Sequence, residues 1–145
     1  MKSFRSINGS IIAPQGFLAA GLFCDVKRLG TGKGSDKGQK RDLALIVSEV
    51  PATAAGMFTT NQICAAPVKV CVEHIANGKA QAVVVNSGNA NACTGETGMD
   101  HARRMCAATA AVMVARAPLY SSLVLSIGYD SPTSISTLST RPSES

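Results

Sequence analysis

The sequence lacks tryptophan and has few aromatic residues of any kind. Aromatic side chains make up 4% of the 145 residues, and none is Trp. Proteins that bind single-stranded nucleic acids commonly stack bases on aromatic rings, so the composition disfavours that class of partner. Apolar residues still make up 46%, as in globular domains, and a chain of this length can bury a core. We therefore expect a core built largely from Ala and Val, and no nucleic-acid partner.

Long apolar runs and organised cysteines are also missing. No apolar run reaches the roughly 20 residues that a transmembrane helix needs, and the N-terminus has no continuous apolar stretch typical of a secretory signal. The five cysteines are odd in number, no two have CxxC spacing, and the two histidines stand apart. This pattern predicts neither a zinc site nor a disulfide framework. We expect a cytoplasmic protein with reduced thiols, no metal and no membrane partner.

Four common functional patterns are absent, weak or disfavoured as well. The sequence has no GxSxG nucleophile motif and no evident pair of carboxylates for acid–base catalysis. The run Gly30–Gly34 only faintly resembles a phosphate-binding loop, because the GxxxxGK[ST] pattern and a long preceding strand are missing. A Ser-His-Asp triad from Ser87, His101 and Asp100 is disfavoured, since adjacent His and Asp residues do not easily give the required geometry.

Positive charge is present in excess and is concentrated in one segment. The net charge is +5, and the segment Lys27–Arg41 holds six of the fourteen basic residues, interleaved with four glycines. This pattern predicts either a phosphate-binding patch or a solvated loop. As a phosphate-binding patch it would make the protein a small basic binding module.

The hydrophobic pattern predicts a layered α/β or α+β arrangement. Strands are predicted over Ile11–Ala20, Gly21–Val26, Arg41–Val50 with Pro51 as its end, Gly56–Thr59, Ala80–Asn86 and Ser122–Ser126. The segment Ala66–Ala76 fits either a strand or a helix that begins at Pro67. A helix capped by Thr97 is predicted over Gly98–Ala115, with a methionine-rich stripe facing the core. The Ser/Thr/Pro-rich segment Ser131–Ser145 is predicted to be disordered.

The segment Val83–Gly95, VVVNSGNANACTG, has the most unusual pattern. Three β-branched residues lead directly into a run that holds three asparagines and two glycines. Asn side chains offer both donors and an acceptor, and Asn and Gly tolerate left-handed backbone geometry. The run is therefore either a turn held by Asn amides or an active-site loop at the carboxyl end of a strand.

Several segments together resemble the ornithine acetyltransferase family, the bifunctional glutamate N-acetyltransferases of arginine biosynthesis. The matching runs, in chain order, are APQGFLAAG, DLALIVSEVPATAAGMFTTN, AAPVKV and QAVVVNSGNANACTGETGMDHARRM. NSGNANACTG after a valine strand is the most specific of these. The resemblance extends from about residue 12 to residue 115, with traces to residue 128, and corresponds to the N-terminal, α-chain part of the family.

The resemblance implies a fold and a chemistry. It implies the N-terminal portion of a self-cleaving acyltransferase fold, in which a threonine at the start of a second, β chain is the nucleophile. Such enzymes move an acetyl group from N-acetylornithine to glutamate through an acyl-threonine, and some also use acetyl-CoA as the donor. The implied partners are these small substrates and a β chain, with no bound cofactor. Substrate-binding residues cannot be assigned in this chain.

The end of the resemblance departs from the family pattern. Ser126, Ile127 and Gly128 align with the family's Ser-Thr-Gly, in which the Thr-Gly pair forms an oxyanion hole, so Ile127 stands where the family has Thr. No later Ala-Thr cleavage site or nucleophilic threonine follows. We therefore divide the chain into an acetyltransferase part, 1–125, and a divergent tail, 126–145. We expect a truncated or frame-shifted product of such an enzyme, which reading the DNA downstream of Ile127 in the other frames would test. The alternative is a non-catalytic fragment that needs a separate second chain.

Overall fold

The computed structural model describes residues 4–24, 26, 41–116 and 124–129, which form one sheet and two helices. A short 3-10 turn, Ser10–Ile12, comes before the first strand. The elements that follow are β1 (Phe17–Leu22), β2 (Leu43–Thr53), α1 (Ala66–His74), β3 (Lys79–Ser87), α2 (Gly95–Arg116) and β4 (Val124–Tyr129). The sheet order is β1-β2-β3-β4. The mixed α/β architecture expected from the sequence is confirmed.

The type of strand pairing changes once across the sheet, from antiparallel to parallel. β1 pairs antiparallel with β2, and β2 pairs antiparallel with β3, with Leu43 opposite Asn86 and Leu45 opposite Val84. β4 instead pairs parallel with β3, because α2 carries the chain back to the start of the sheet before β4 begins. The carboxyl ends of β3 and β4 therefore lie side by side, at the same end of the two strands.

The core lies between the helices and one face of β3. The buried cluster is formed by small and medium side chains: Ala66, Val70, Ala82, Val84, Ala102, Cys106 and Met113. Met99 and Met105 pack against this cluster from α2, so the methionine-rich stripe predicted for that helix does face the core. The absence of large aromatics is consistent with this arrangement, since Ala and Val let the helices approach the sheet closely.

Four strand predictions are wrong in their bounds or existence. A single strand, β1, crosses the boundary between the two strands predicted over 11–20 and 21–26. Pro51 does not end β2, which runs on to Thr53, because the register shifts between Val47 and Ala52 and the proline lies inside that irregularity. No strand forms at Gly56–Thr59, where the chain has no regular structure.

The helix predictions differ in outcome. The helical alternative for the ambiguous segment is confirmed, with Pro67 in the first turn of α1. The predicted second helix is also confirmed, but α2 begins at Gly95, before Thr97, so Thr97 is not its cap. The helix starts earlier because the loop before it turns sharply at Cys93 and Gly95, which both have positive φ. None of the helices in the described ranges is long and apolar enough to cross a membrane.

Some predictions fall wholly or partly outside the described residues. The basic segment, apart from Arg41, lies outside them, as does the tail over residues 131–145. The last predicted strand is present as β4, but it starts at Val124 and continues to Tyr129. β4 thus crosses the proposed boundary at residue 125, and the division into two parts stays a prediction.

Candidate active site

Two motifs of the family resemblance lie together where β3 and β4 end. They are the start of NSGNANACTG and the Ser126–Gly128 run. Asn86 and Ser87 end β3 and begin the Asn-rich run, and the register pairs them with Gly128 and Tyr129. Ile127, one residue earlier, pairs with Val85. Residues that are 42 positions apart in the chain are therefore neighbours on adjacent strands, which lie about 4.8 Å apart. This is the carboxyl-end position that ligands commonly occupy in open sheets with parallel strands.

β4 is the outer strand of the sheet over the described residues. β3 flanks it on one side, and no described strand flanks it on the other. An outer strand presents a row of backbone N–H and C=O groups that no neighbouring strand uses. Backbone N–H groups of this kind are what an oxyanion hole is made of.

The Asn-rich loop after β3 is held by its own side chains. The Asn89 N–H donates to Asn86 Oδ1 at 3.3 Å, and the Asn91 N–H donates to Asn89 Oδ1 at 2.9 Å. Gly88 turns the chain out of the strand with φ 123°, and Asn91 has φ 52°. The prediction of a turn held by Asn amides is therefore confirmed. The loop is a rigid support for the sheet edge, with its amide oxygens already engaged.

A tight cluster then fixes the start of α2. Asn91 Nδ2 donates to the Gly98 carbonyl at 2.7 Å, and Thr94 Oγ1 donates to Asn91 Oδ1 at 2.7 Å. The Gly98 N–H donates to the Thr94 carbonyl at 3.2 Å, and the Ala66 N–H donates to the Asn91 carbonyl at 3.2 Å. Asn91 therefore ties the loop to the first turns of both helices. No pattern in the sequence indicates this cluster, because its members become neighbours only when both helices are in place.

Two buried polar residues lie next to each other where β2 begins and β3 ends. Asp42 and Ser87 each expose 1% of their surface, and the Ser87 N–H donates to the Asp42 carbonyl at 2.7 Å. The Asp42 carboxylate accepts hydrogen bonds from the backbone N–H groups of Cys24 and Val26 at 2.6 and 2.7 Å. Two charge-assisted bonds of this kind offset the cost of burying a carboxylate. Asp42 thereby anchors the chain beside β1.

The hydroxyl of Ser87 differs from the carboxylate of Asp42. Ser87 Oγ is fully buried and has no hydrogen-bond partner among the residues that the structure describes. Most buried side-chain hydroxyls in folded proteins are paired, so an unpaired one requires a specific explanation. The sequence offered Ser87 only as a member of a disfavoured triad, because its burial depends on the order of the strands.

A partly open pocket of about 270 Å³ lies next to the loop, between the first turns of α1 and α2. It is lined on one side by Cys64, Ala66 and Lys69 and on the other by Cys93 and Glu96. A group of three or more His, Cys, Asp or Glu side chains able to hold a metal ion does not occur within the described ranges. The pocket is a recess with both polar and apolar lining residues, of a size suited to a small molecule.

A second, strongly apolar groove of about 400 Å³ runs between α2 and the outer part of the sheet. Leu22, Leu43 and Leu45 line its floor, and Met105 and Val112 line its wall. Leu22 and Val112 are exposed there. α2 covers β3 but leaves this side of β1 and β2 open, so the described residues present a sizeable apolar surface.

Comparison with known proteins identifies the family. The sequence profile of the ArgJ family matches residues 27–130, well over half of the chain. The chain belongs to the ArgJ family. The ornithine acetyltransferase resemblance inferred from NSGNANACTG is thus confirmed.

Several similar proteins are named arginine biosynthesis bifunctional protein ArgJ. The arginine biosynthesis bifunctional protein ArgJ of Caldanaerobacter subterraneus is 47% identical over 107 residues, which cover 74% of this chain and 24% of that protein. The ArgJ protein of Symbiobacterium thermophilum is 50% identical over 97 residues, covering 67% of this chain and 22% of that protein. The chain therefore spans about a quarter of the length of the ArgJ relatives that it matches.

Two solved structures share the fold. The ArgJ protein of Bacillus halodurans superposes with a TM-score of 0.70 at 40% identity, covering 85% of this chain and 58% of that chain. Ornithine acetyltransferase from Mycobacterium tuberculosis, solved in complex with ornithine, superposes with a TM-score of 0.72 at 35% identity, covering 83% of this chain and 59% of that chain. The layered sheet and helices of this chain are thus the ArgJ fold.

Proposed function

We propose that this chain supplies one part of an acetyltransferase active site. In this proposal the enzyme moves an acetyl group from N-acetyl-L-ornithine to L-glutamate in arginine biosynthesis in the cytoplasm. Acetyl-CoA is a second possible acetyl donor. In this proposal the nucleophile is the threonine that begins the family's β chain. Ile127 and Gly128 occupy the oxyanion-hole positions of this chain.

The observation that carries the proposal is the parallel pairing of β3 with β4. It sets Gly128 beside Asn86 at the sheet edge, next to the rigid Asn-rich loop. An oxyanion hole needs backbone N–H groups whose positions do not change during the reaction. An outer strand supported by such a loop meets that requirement. The ornithine seen with the Mycobacterium tuberculosis relative supports an amino-acid substrate of this class.

The proposed reaction has two matched acyl-transfer steps. The threonine hydroxyl of the second chain attacks the acetyl carbon of N-acetylornithine, its proton passes to the threonine's own amine, and the carbonyl electron pair moves onto oxygen. The oxyanion collapses, the C–N bond breaks, and ornithine leaves with that proton. Glutamate's amine then attacks the acetyl-threonine ester in the same way, which releases N-acetylglutamate and restores the hydroxyl. In both steps this chain stabilises the negative oxygen.

The proposal is tested with the chain alone and with a second chain. The chain is co-expressed with the nucleophile-bearing part of the Symbiobacterium thermophilum relative, and the release of ornithine from N-acetylornithine and glutamate is measured. The complex is expected to transfer acetyl groups, and the chain alone is expected to give only the uncatalysed rate. Substitution of the second chain's N-terminal threonine by alanine provides the control. Transfer by the chain alone would show that it carries its own nucleophile.

Ile127 lacks the hydroxyl of the family's threonine, and this affects the kcat expected of the complex. Loss of one oxyanion donor typically lowers kcat by about 10²–10³-fold. Ile127→Thr in the complex is therefore expected to raise kcat with little change in KM, because the added hydroxyl acts on the transition state. An unchanged kcat would mean that Ile127 is not an oxyanion position.

A further inference from the structure

Two of the five cysteines line the same recess. Cys64 and Cys93 lie on the two walls of the pocket of about 270 Å³ between the first turns of α1 and α2. Cys64 is half-buried, Cys93 is exposed, and both are free thiols. The other three are placed differently, since Cys71 and Cys106 are buried in the core and Cys24 lies just after β1, outside the pocket. A small molecule that enters the pocket therefore meets two cysteines.

A backbone hydrogen bond holds the two walls of this pocket together. The Ala66 N–H donates to the Asn91 carbonyl at 3.2 Å, and Cys64 and Cys93 each lie two residues from that bond. Two residues of chain span at most about 7 Å, so both cysteines stay close to the bond. Disulfide-linked cysteines have Cα atoms about 4.4–6.8 Å apart. The pair therefore reaches that range by a local movement of the two loop ends, without any rearrangement of the helices.

We propose that Cys64 and Cys93 form a reversible disulfide by exchange with a small-molecule disulfide that enters this pocket. The thiolate of Cys93, the more exposed of the two, attacks one sulfur of the small disulfide, a mixed S–S bond forms, and one small thiolate leaves. The thiolate of Cys64 then attacks the Cys93 sulfur, the protein disulfide forms, and the second small thiolate leaves. The protein loses two electrons, the small disulfide gains them, and the two thiol protons pass to the released thiolates.

The disulfide links the segment before α1 to the loop before α2. The same loop supports the carboxyl end of β3 through the bonds of Asn86, Asn89 and Asn91. The link closes a covalent ring that contains α1 and β3, which restricts the unfolded chain and so stabilises the folded one. In a reducing compartment such a bond forms only transiently, as in proteins that respond to the redox state.

The test uses the whole 145-residue chain with oxidised glutathione as the small disulfide. After incubation the remaining thiols are alkylated in denaturant, and the digested protein is analysed by mass spectrometry. The main cross-link is expected to join the peptides that contain Cys64 and Cys93, with Cys71 and Cys106 recovered as alkylated thiols. Cys64→Ser is expected to stop at the mixed disulfide, with one glutathione on Cys93, because the second attacking thiol is missing.

A matched control and a stability measurement complete the test. Cys24→Ser removes an exposed cysteine outside the pocket, so it should leave the yield of the Cys64–Cys93 link unchanged. The oxidised wild-type chain should have a higher urea midpoint than the reduced chain, and Cys93→Ser should show no such rise.

Two outcomes would overturn the inference. Glutathione attached equally to Cys24 and Cys93, with no Cys64–Cys93 link, would show that the exposed thiols react independently. A link that forms only in urea would show that the folded pocket does not bring the two thiols together. Neither outcome bears on acetyl transfer, because the experiment does not use the second chain.

Discussion

Substitution of Gly98 by alanine should destabilise the protein, although the same change stabilises most helices. Gly98 lies in the first turn of α2, is buried, and its carbonyl accepts the hydrogen bond from Asn91 Nδ2. A Cβ atom at this position would overlap Thr94 Oγ1 and would lie 2.6 Å from the Thr94 Cβ and 2.7 Å from Asn91 Oδ1. Contacts this short force the side chains apart and break the cluster that fixes the loop.

The magnitude follows from three opposing effects. Relief of the overlap costs about 1–3 kcal/mol, as other overpacked sites do. Loss of one buried hydrogen bond adds about 1 kcal/mol. Replacing a helical glycine by alanine returns about 0.5–1 kcal/mol. We therefore expect Gly98→Ala to lower the free energy of unfolding by about 2 kcal/mol, which corresponds to roughly 4–8 °C in Tm for a chain of this size.

Urea denaturation followed by circular dichroism measures this change. Thr94→Gly is the compensating variant, because it removes the nearest clashing atoms and a glycine at a helix start costs only a few tenths of a kcal/mol. The double variant is expected to recover at least about 0.5 kcal/mol relative to additivity. Gly78→Ala provides a contrast, since its Cβ would meet nothing within 4 Å and only its φ of 69° opposes it. A Gly98→Ala protein more stable than wild type would refute the argument.

Four further predictions follow from the packing. Val70 is fully buried in α1, so Val70→Ala should lower the free energy of unfolding by about 2 kcal/mol. Val72 is 48% exposed on the same helix, so Val72→Ala should lower it by under about 0.5 kcal/mol. Equal urea midpoints for the two variants would contradict the assigned core. Asp42→Asn should weaken two charge-assisted bonds by about 1.5–3 kcal/mol in total and speed hydrogen exchange at the two amides it holds; unchanged exchange would contradict that anchor. Glu73→Gln breaks an ion pair with Arg103 at 3.2 Å, in which both side chains are about half exposed (49% and 53%). The free energy of unfolding should therefore fall by under about 1 kcal/mol. A larger loss would indicate a buried network. The apolar groove along α2 should bind a fluorescent apolar dye in the free chain and lose it in the complex; absence of dye binding would mean that the groove is covered in solution.

Part of the fold could be predicted because local patterns and tertiary structure agree. β-branched runs marked β2 and β3, and the spacing of methionines and alanines marked α2. The segment around Pro67 was ambiguous, because alternating valines suit a strand and a proline start suits a helix. Tertiary packing decides in favour of the helix, which buries Val70 and Cys71 against the core.

Other features could not be predicted from local patterns. Pro51 is normally a strand end, and a bulge that accommodates it depends on how β3 pairs across from it. The site residues show the same limit. NSGNANACTG identified the loop, and the family alignment identified Ile127 and Gly128, but the proximity of the two follows from the parallel pairing of β4. The burial of Ser87 likewise depends on three strands at once.

The strand order of the sheet also affects how the chain is made. β3 is rich in valine, and until β4 pairs with it one side of its backbone has no neighbouring strand. Residues 88–129 must be synthesised before that side can be covered, which takes roughly two to eight seconds at 5–20 residues per second. An apolar, unpaired strand edge is a template for association with other chains. The parallel pairing that forms the proposed active-site edge thus leaves the nascent protein open to aggregation during this interval, when assistance from a chaperone would matter most.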